Sequence, residues 1–360
     1  MFKNKKIAFV TSGYMDSNFS SGGIKLNYIL LNGLKNLNYS VDLFCDKIIT
    51  YENKIFANIY SLLEFENLKQ NYDYILTDKG FIPSDITYIH DHSYIFRTKY
   101  MSNEVKHFFY KIFNRKKHNK RLNEYLKIKN NLSATKKVVV SSQILKLDVI
   151  ENFGISSENI VIIPPPIENH KTLSKRKNNV FTFGISAVGF ERKGGYILLK
   201  AIKELKKTHK NFKIIFIYPS KNLFVNLLKK IYGIDKYCEF IEIQKDINNF
   251  YSSIDCLIMP SIIEPFGMVA TEALSNGCPV ITATHCGAAD CIINGKNGYL
   301  YDASKNPSKE LAKTMQIVLN LGIEGMVSIR DFCIDSAKQF NEEIFVQEYL
   351  EIFDILDSKK

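Results

Sequence analysis

Two carboxylates stand eight residues apart in Ser261-Ile262-Ile263-Glu264-Pro265-Phe266-Gly267-Met268-Val269-Ala270-Thr271-Glu272, on either side of a Pro-Phe-Gly turn that opens a helix. Backbone N–H groups at a helix N-terminus have no intrahelical acceptor and attract anions. Glu264 falls before the helix and Glu272 inside it. One acid can therefore sit beside a phosphate-linked sugar and the other further along the same ligand, the layout a nucleotide sugar requires. Charge alone would make both acids mere helix decoration. Pro265, expected at the first helical position, and Gly267, allowing close approach, favour the ligand.

Three further groups of residues belong with this one. Ser20-Ser21-Gly22-Gly23 follows a first predicted strand, where glycines let a phosphate approach backbone N–H groups. As a motif by itself it reads equally well as a plain turn. Gly189-Phe190-Glu191-Arg192-Lys193-Gly194-Gly195 occupies the corresponding turn in the second half of the chain. There Lys193 offers a diphosphate a point charge and Arg192 a forked contact. Tyr88-Ile89-His90-Asp91-His92-Ser93 ends another predicted strand, and its imidazoles can hydrogen-bond a sugar hydroxyl. A metal is disfavoured, because no third ligand is close in sequence.

The elements that must position these residues follow from periodicity. Short β-branched runs alternate with longer amphipathic segments, the pattern of α/β units around parallel sheets. Strands are expected at 7–11, 41–45, 74–77, 86–90, 138–141 and 160–163, with a helix over 22–37. A second set is expected at 181–185, 213–218, 238–243, 256–259 and 279–282, followed by a helical pattern over 307–355. Pro164-Pro165-Pro166 and the polar stretch after it interrupt the two sets. The expected organisation is 1–168 as a first α/β domain, 169–179 as linker, 180–338 as a second, and 339–360 as a closing helix.

Composition narrows the function classes. Of the 360 residues, 46% are hydrophobic, and no apolar run approaches the roughly 20 residues of a membrane span. The apolar run after the basic start is too short for a signal peptide, so a cytoplasmic chain is expected. Seven cysteines without a Cys-x-x-Cys pair read as buried reduced thiols. The net charge of +11 points to a polyanionic partner, whether nucleotide phosphate, anionic membrane or nucleic acid. From Arg97 to Lys129 eleven Lys/Arg face only Glu104 and Glu124, interleaved with Phe108, Phe109, Ile112 and Phe113. Such a helix suits an anionic membrane face or a solvated basic surface over a packed core equally well. Nucleic acid is disfavoured, since no recognised motif accompanies the basic residues.

The ordered string from Glu264-Pro265-Phe266-Gly267 through Glu272, Gly277-Cys278-Pro279-Val280, Gly287 and Asn297-Gly298 resembles the retaining GT-B-fold glycosyltransferases of family 4, the group 1 glycosyl transferases. Weaker similarity runs from Gly22-Gly23 to the last helix. The resemblance implies two doubly wound Rossmann-like domains facing across a cleft, 1–168 on the acceptor side and 180–338 binding the nucleotide sugar, with 339–360 crossing back to the first, a UDP- or GDP-sugar as donor substrate and no cofactor. It implies Glu272 on the ribose hydroxyls and Glu264 on the transferred sugar. It further implies Phe266, Gly267, Met268 and Val269 around sugar and phosphates, Lys193 on the diphosphate, and His90 near the sugar, with His92 as a secondary candidate. Nucleobase contacts are expected near 241–244.

Departures from the family pattern place the chain nearer its lipopolysaccharide-core and capsule branch. Ala187, Val188 and Gly189 stand where an arginine is usual, so Arg192 is the candidate to supply that charge. Tyr218-Pro219-Ser220 stands at a usual glycine turn, Asp290 at a usual Glu, and Pro165-Pro166 at a usual Asn-Gly. The expected function is metal-independent transfer to a glycan or lipid-linked acceptor in surface polysaccharide synthesis, and the chain has no Asp-x-Asp. A sugar-nucleotide epimerase or hydrolase, or a catalytically silent partner subunit of the same fold, stays open.

Overall fold

The computed structural model describes residues 5–11, 22–46, 55–101, 115–167, 180–217, 223–242 and 247–358. The expected linker, Ser20-Ser21, Tyr218-Pro219-Ser220, positions 243–244 and the aromatics between 108 and 113 lie outside them. The chain forms two compact units, Met1–Pro166 with Phe340–Lys360, and Ile167–Gln339.

The first unit is built on a parallel sheet of seven described strands: β1 (Lys6–Val10), β2 (Ser40–Phe44), β3 (Ile59–Tyr60), β4 (Tyr74–Asp78), β5 (Ile86–Ile89), β6 (Lys137–Val140) and β7 (Ile160–Ile162). Their order is β3-β2-β1-β4-β5-β6-β7. Side chains on both faces of β1, β5 and β6 are buried, as a parallel sheet covered by crossover helices requires. One face packs on helix Gly22–Asn36 and the final helix Glu342–Asp357, through Leu31, Leu34, Val346, Tyr349 and Phe353. Phe353 stacks on Tyr74 at 4.3 Å, and Lys5 reaches Asp357 at 2.7 Å. The closing helix is therefore part of the first unit's core.

The second unit holds β8 (Phe181–Ser186), β9 (Phe212–Ile217), β10 (Cys238–Ile241), β11 (Cys256–Met259), β12 (Val280–Ala283) and β13 (Gly298–Tyr301), in the order β10-β9-β8-β11-β12-β13. The order reverses direction between β8 and β11, which pair in parallel through Cys256–Phe183 and Leu257–Gly184. Loops leaving the carboxyl ends of strands at such a reversal are where open α/β sheets bind ligands.

Two strands, β3 and β13, escape the sequence reading. The first has only two residues, and the second starts on a glycine. The helical pattern over 307–355 divides into Pro307–Ser328, Arg330–Ala337 and Glu342–Asp357. Gly322 breaks the first of these with φ 67°, and Asn341 caps the last by accepting from the Ile344 N–H.

Candidate functional site

The loops after β8 and β11 bring Lys193, Arg192 and Glu264 together. Lys193 Nζ lies 2.5 Å and Arg192 Nη1 3.0 Å from Glu264 Oε2. The Glu264 and Lys193 side chains are 12% and 14% exposed and Arg192 36%, so the acid is largely buried between one sheltered and one wetter cation. Removing one partner would leave charge where hydration is poor. The sequence reading directs both cations to a diphosphate; here both meet the carboxylate expected to hold the sugar.

Backbone contacts fix the same loop at both ends. The Ile262 N–H donates to the Arg192 carbonyl at 2.9 Å, and the Gly287 N–H to the Glu264 carbonyl at 2.9 Å. Gly194, at φ 74°, has no room for a side chain: a Cβ would stand 1.8 Å from the Pro260 oxygen. At Gly287 a Cβ would stand 2.0 Å from the Pro265 oxygen. His285 Nε2 meets the Ile262 carbonyl at 2.9 Å, and the Cys286 thiol donates to the Ser261 carbonyl. Burial, and then the charge of Glu264, push that thiol up to about 12, so it stays protonated.

The helix after this loop is Met268–Ser275, capped by Gly267 at φ 90°. Pro265 thus lies two residues ahead of the cap, which corrects its expected place at the first helical position. The αL turn that the cap requires is a glycine conformation, and it moves the helix start beyond the proline. Met268 and Val269 fall in the first turn, and Phe266 is buried. Glu272 is half-buried one turn further on, and its Oε2 accepts from the Tyr251 phenol at 2.9 Å.

In the first unit, Gly22 and Gly23 open helix Gly22–Asn36. His90 follows β5 directly and is half-buried, with Nδ1 buried and unpartnered. Burial pulls its pKa below the usual histidine range, while the nearby Asp78 charge pulls the other way. His92 is buried outright. Its Nδ1 lies 2.9 Å from Asp148 Oδ2, and Phe96 stacks on the ring at 4.2 Å. A carboxylate only accepts, so Nδ1 carries the hydrogen. Asp148 also accepts from the Ser93 N–H at 2.7 Å and from Asn152 Nδ2 at 2.8 Å.

A comparison with known proteins places this geometry. The profile described as "Glycosyl transferases group 1" matches residues 167–339, the whole of the second unit. The second unit belongs to the group 1 glycosyl transferases. It is 23% identical over 217 residues to a D-inositol 3-phosphate glycosyltransferase of Corynebacterium aurimucosum, covering 54% of this chain and 51% of the relative. The chain spans about half or less of the length of the curated relatives it matches. Among solved structures, WaaG, a glycosyltransferase involved in lipopolysaccharide biosynthesis, superposes with a TM-score of 0.73 at 16% identity, covering 96% of this chain and 99% of the other. HepE of Anabaena in complex with UDP-glucose gives 0.66 at 19%, covering 98% and 100%. The two-domain α/β fold is GT-B.

Several residues at the candidate site escaped the sequence reading. Tyr251 and Asp148 sit on helices of only 7 and 6 residues, too short to carry a periodic signal. His285 carries no local signal, because its bond to the Ile262 carbonyl depends on the fold of two loops. Asn297, quoted for the resemblance, is fully buried, donates to the Cys291 carbonyl and accepts from the Ile293 N–H. It shapes the turn into β13. Among the described residues no two cysteines are joined in a disulfide.

Proposed function

We propose that this chain is a retaining, metal-independent glycosyltransferase that moves a sugar from a UDP- or GDP-sugar to a glycan or lipid-linked acceptor in bacterial-type surface polysaccharide or lipopolysaccharide synthesis. The observation that carries the proposal is the meeting of Lys193, Arg192 and Glu264 at the sheet reversal, beside a helix N-terminus and Glu272. Cations and first-turn N–H groups suit a diphosphate, and the two acids suit hydroxyl-bearing groups on either side of it.

In the proposed reaction the bond from the sugar's anomeric carbon to the diphosphate oxygen lengthens first, leaving an oxocarbenium-like sugar and negative charge on the leaving phosphate. Lys193 and Arg192 stabilise that charge, together with N–H groups at Gly22, Gly23, Gly267, Met268 and Val269. With the phosphate drawing on the cations, Glu264 turns its acceptor oxygens to the sugar hydroxyls. The acceptor hydroxyl attacks from the face the diphosphate leaves, and its proton passes to a phosphate oxygen of the departing nucleoside diphosphate. His90, held neutral by burial, hydrogen-bonds the sugar, with His92 as the secondary candidate. Glu272 takes the ribose.

The lipopolysaccharide and capsule setting is supported by what WaaG and a Staphylococcus aureus capsular polysaccharide glycosyltransferase are named for. Peripheral contact with the cytoplasmic face of an anionic membrane is part of the proposal. In the described part of the basic stretch, helix Arg115–Ser133 packs Tyr125 and Leu132 on the core and exposes Lys116, Lys117, Lys120 and Arg121. Among the described residues no helix is long and apolar enough to cross a membrane.

The test is transfer from a panel of UDP- and GDP-sugars to glycan and lipid-linked acceptors, with the product anomer read by NMR and the reaction repeated in EDTA. Transfer with retention, insensitive to EDTA and abolished in Glu264→Ala, is expected. An inverted product would refute the retaining assignment. Donor epimerisation or hydrolysis with no transfer to any acceptor would favour the alternative chemistry.

A further inference from the structure

The buried phenol of Tyr251 has no place in the mechanism above, yet it touches one of that mechanism's acids. Tyr251 lies on helix Ile247–Ser253, is 1% exposed, and sends its hydroxyl toward helix Met268–Ser275. There it stands 2.9 Å from Glu272 Oε2 and 3.3 Å from the Val269 carbonyl. A phenol has one hydrogen, and the shorter, charge-assisted contact takes it. Burial, followed by the charge of Glu272, keeps this phenol protonated and therefore a donor.

The consequence lies in what remains on the carboxylate. An ionised Glu accepts at about four lone-pair sites. One bond from Tyr251 to Oε2 fixes the rotation of the group and leaves Oε1 and the second site of Oε2 open, a pair of acceptors suited to two adjacent hydroxyls. Without that bond, the carboxylate of a half-buried side chain rotates freely, and each hydroxyl it binds must first order it.

We propose that Tyr251 is a positioning residue that orients Glu272 and thereby sets the preference of the site for ribose over deoxyribose. This rests on the assignment of Glu272 to the ribose under Proposed function. Tyr251 does not touch the nucleotide; it acts through Glu272. A site built to pair with both hydroxyls leaves a carboxylate acceptor unpaired when one hydroxyl is missing, and rejects that analogue.

The experiment is calorimetric titration with UDP and 2′-deoxy-UDP, or with GDP and 2′-deoxy-GDP if the guanine nucleotide is the tighter ligand. It uses the full chain as wild type, Tyr251→Phe, Glu272→Ala and the double variant. Wild type is expected to favour the ribonucleotide by about tenfold or more, the scale of a hydrogen bond to a charged group. Tyr251→Phe should weaken the ribonucleotide while leaving the deoxynucleotide unchanged, so that the preference collapses. In the double variant, Tyr251→Phe should add nothing to Glu272→Ala. Equal weakening of both nucleotides by Tyr251→Phe, or an unchanged preference, overturns the proposal. If Glu272→Ala removes the preference while Tyr251→Phe keeps it, the ribose assignment stands and the role of Tyr251 falls. If Glu272→Ala keeps the preference, or wild type has none, both fall. Tyr251→Phe removes one oxygen from the core. Should it nevertheless melt early, the titrations are made below its melting temperature, where a collapsed preference supports the proposal and a preserved one contradicts it.

Discussion

The paired loops after β8 and β11 in the second unit and the loop after β5 in the first are held by different physics. The first is pinned by charge and backbone: Glu264 between Lys193 and Arg192, with glycines letting Pro260 and Pro265 press against neighbouring chain. The second is pinned by burial, with His92 on Asp148 under the ring of Phe96, and His90 two residues away with its ring nitrogen in the dry. A pair of loops that gathers two cations fits a ligand that arrives charged and becomes more so as it reacts. A loop that keeps an imidazole neutral fits a ligand that presents hydroxyls. The difference lies in which charges each loop carries into the reaction, and it yields separate tests for each.

The largest expected effect falls on the buried loop. Asp148→Ala leaves His92, Ser93 and Asn152 without their common acceptor at a fully buried position and should cost about 3–5 kcal/mol of stability, read by chemical denaturation. A cost near zero would mean that the loop is held by packing alone. In the charged pair of loops, Lys193→Ala should lower kcat/KM by about 10²- to 10³-fold, roughly 2.7–4 kcal/mol of transition-state stabilisation, with a smaller loss of stability because Arg192 still pairs with Glu264. If stability falls as steeply as activity, the lysine serves the fold more than the ligand, and the comparison breaks.

The smallest effect concerns pH. His90 has a folded pKa below its unfolded value, so the unfolded chain binds the extra proton between the two. Its contribution to stability is complete above the ordinary histidine pKa and is lost as pH falls through the folded value. His90→Gln should therefore flatten the acid side of the stability profile below about pH 6.5. An unchanged profile would place the acid sensitivity elsewhere.

Most of the second unit's candidate site is legible in the sequence, because its residues are contiguous and chemically unusual together. Glu264, Phe266, Gly267 and Glu272 share one stretch, and Arg192-Lys193 share another. The ion pairs joining the stretches, at separations of 71 and 72 residues, depend on β8 and β11 being neighbours, a fact of topology that local pattern does not carry. Tyr251 and Asp148 were hidden for a related reason, since each gains its meaning from one distant acid or imidazole. Pro265 misled because proline does favour a first helical position, and only the positive φ of Gly267 reveals that the helix starts later. The strands were legible from β-branched runs, except β3 and β13, which are too short or too glycine-led to register.

The most direct test of the central claim is calorimetric titration of UDP and GDP into the purified full chain and into Lys193→Ala. The account predicts that at least one nucleoside diphosphate binds the wild type and that Lys193→Ala weakens it by about tenfold or more, the loss of one charge-assisted contact to phosphate. A folded wild type that binds neither nucleotide, or a Lys193→Ala variant that binds as tightly as wild type, would contradict it.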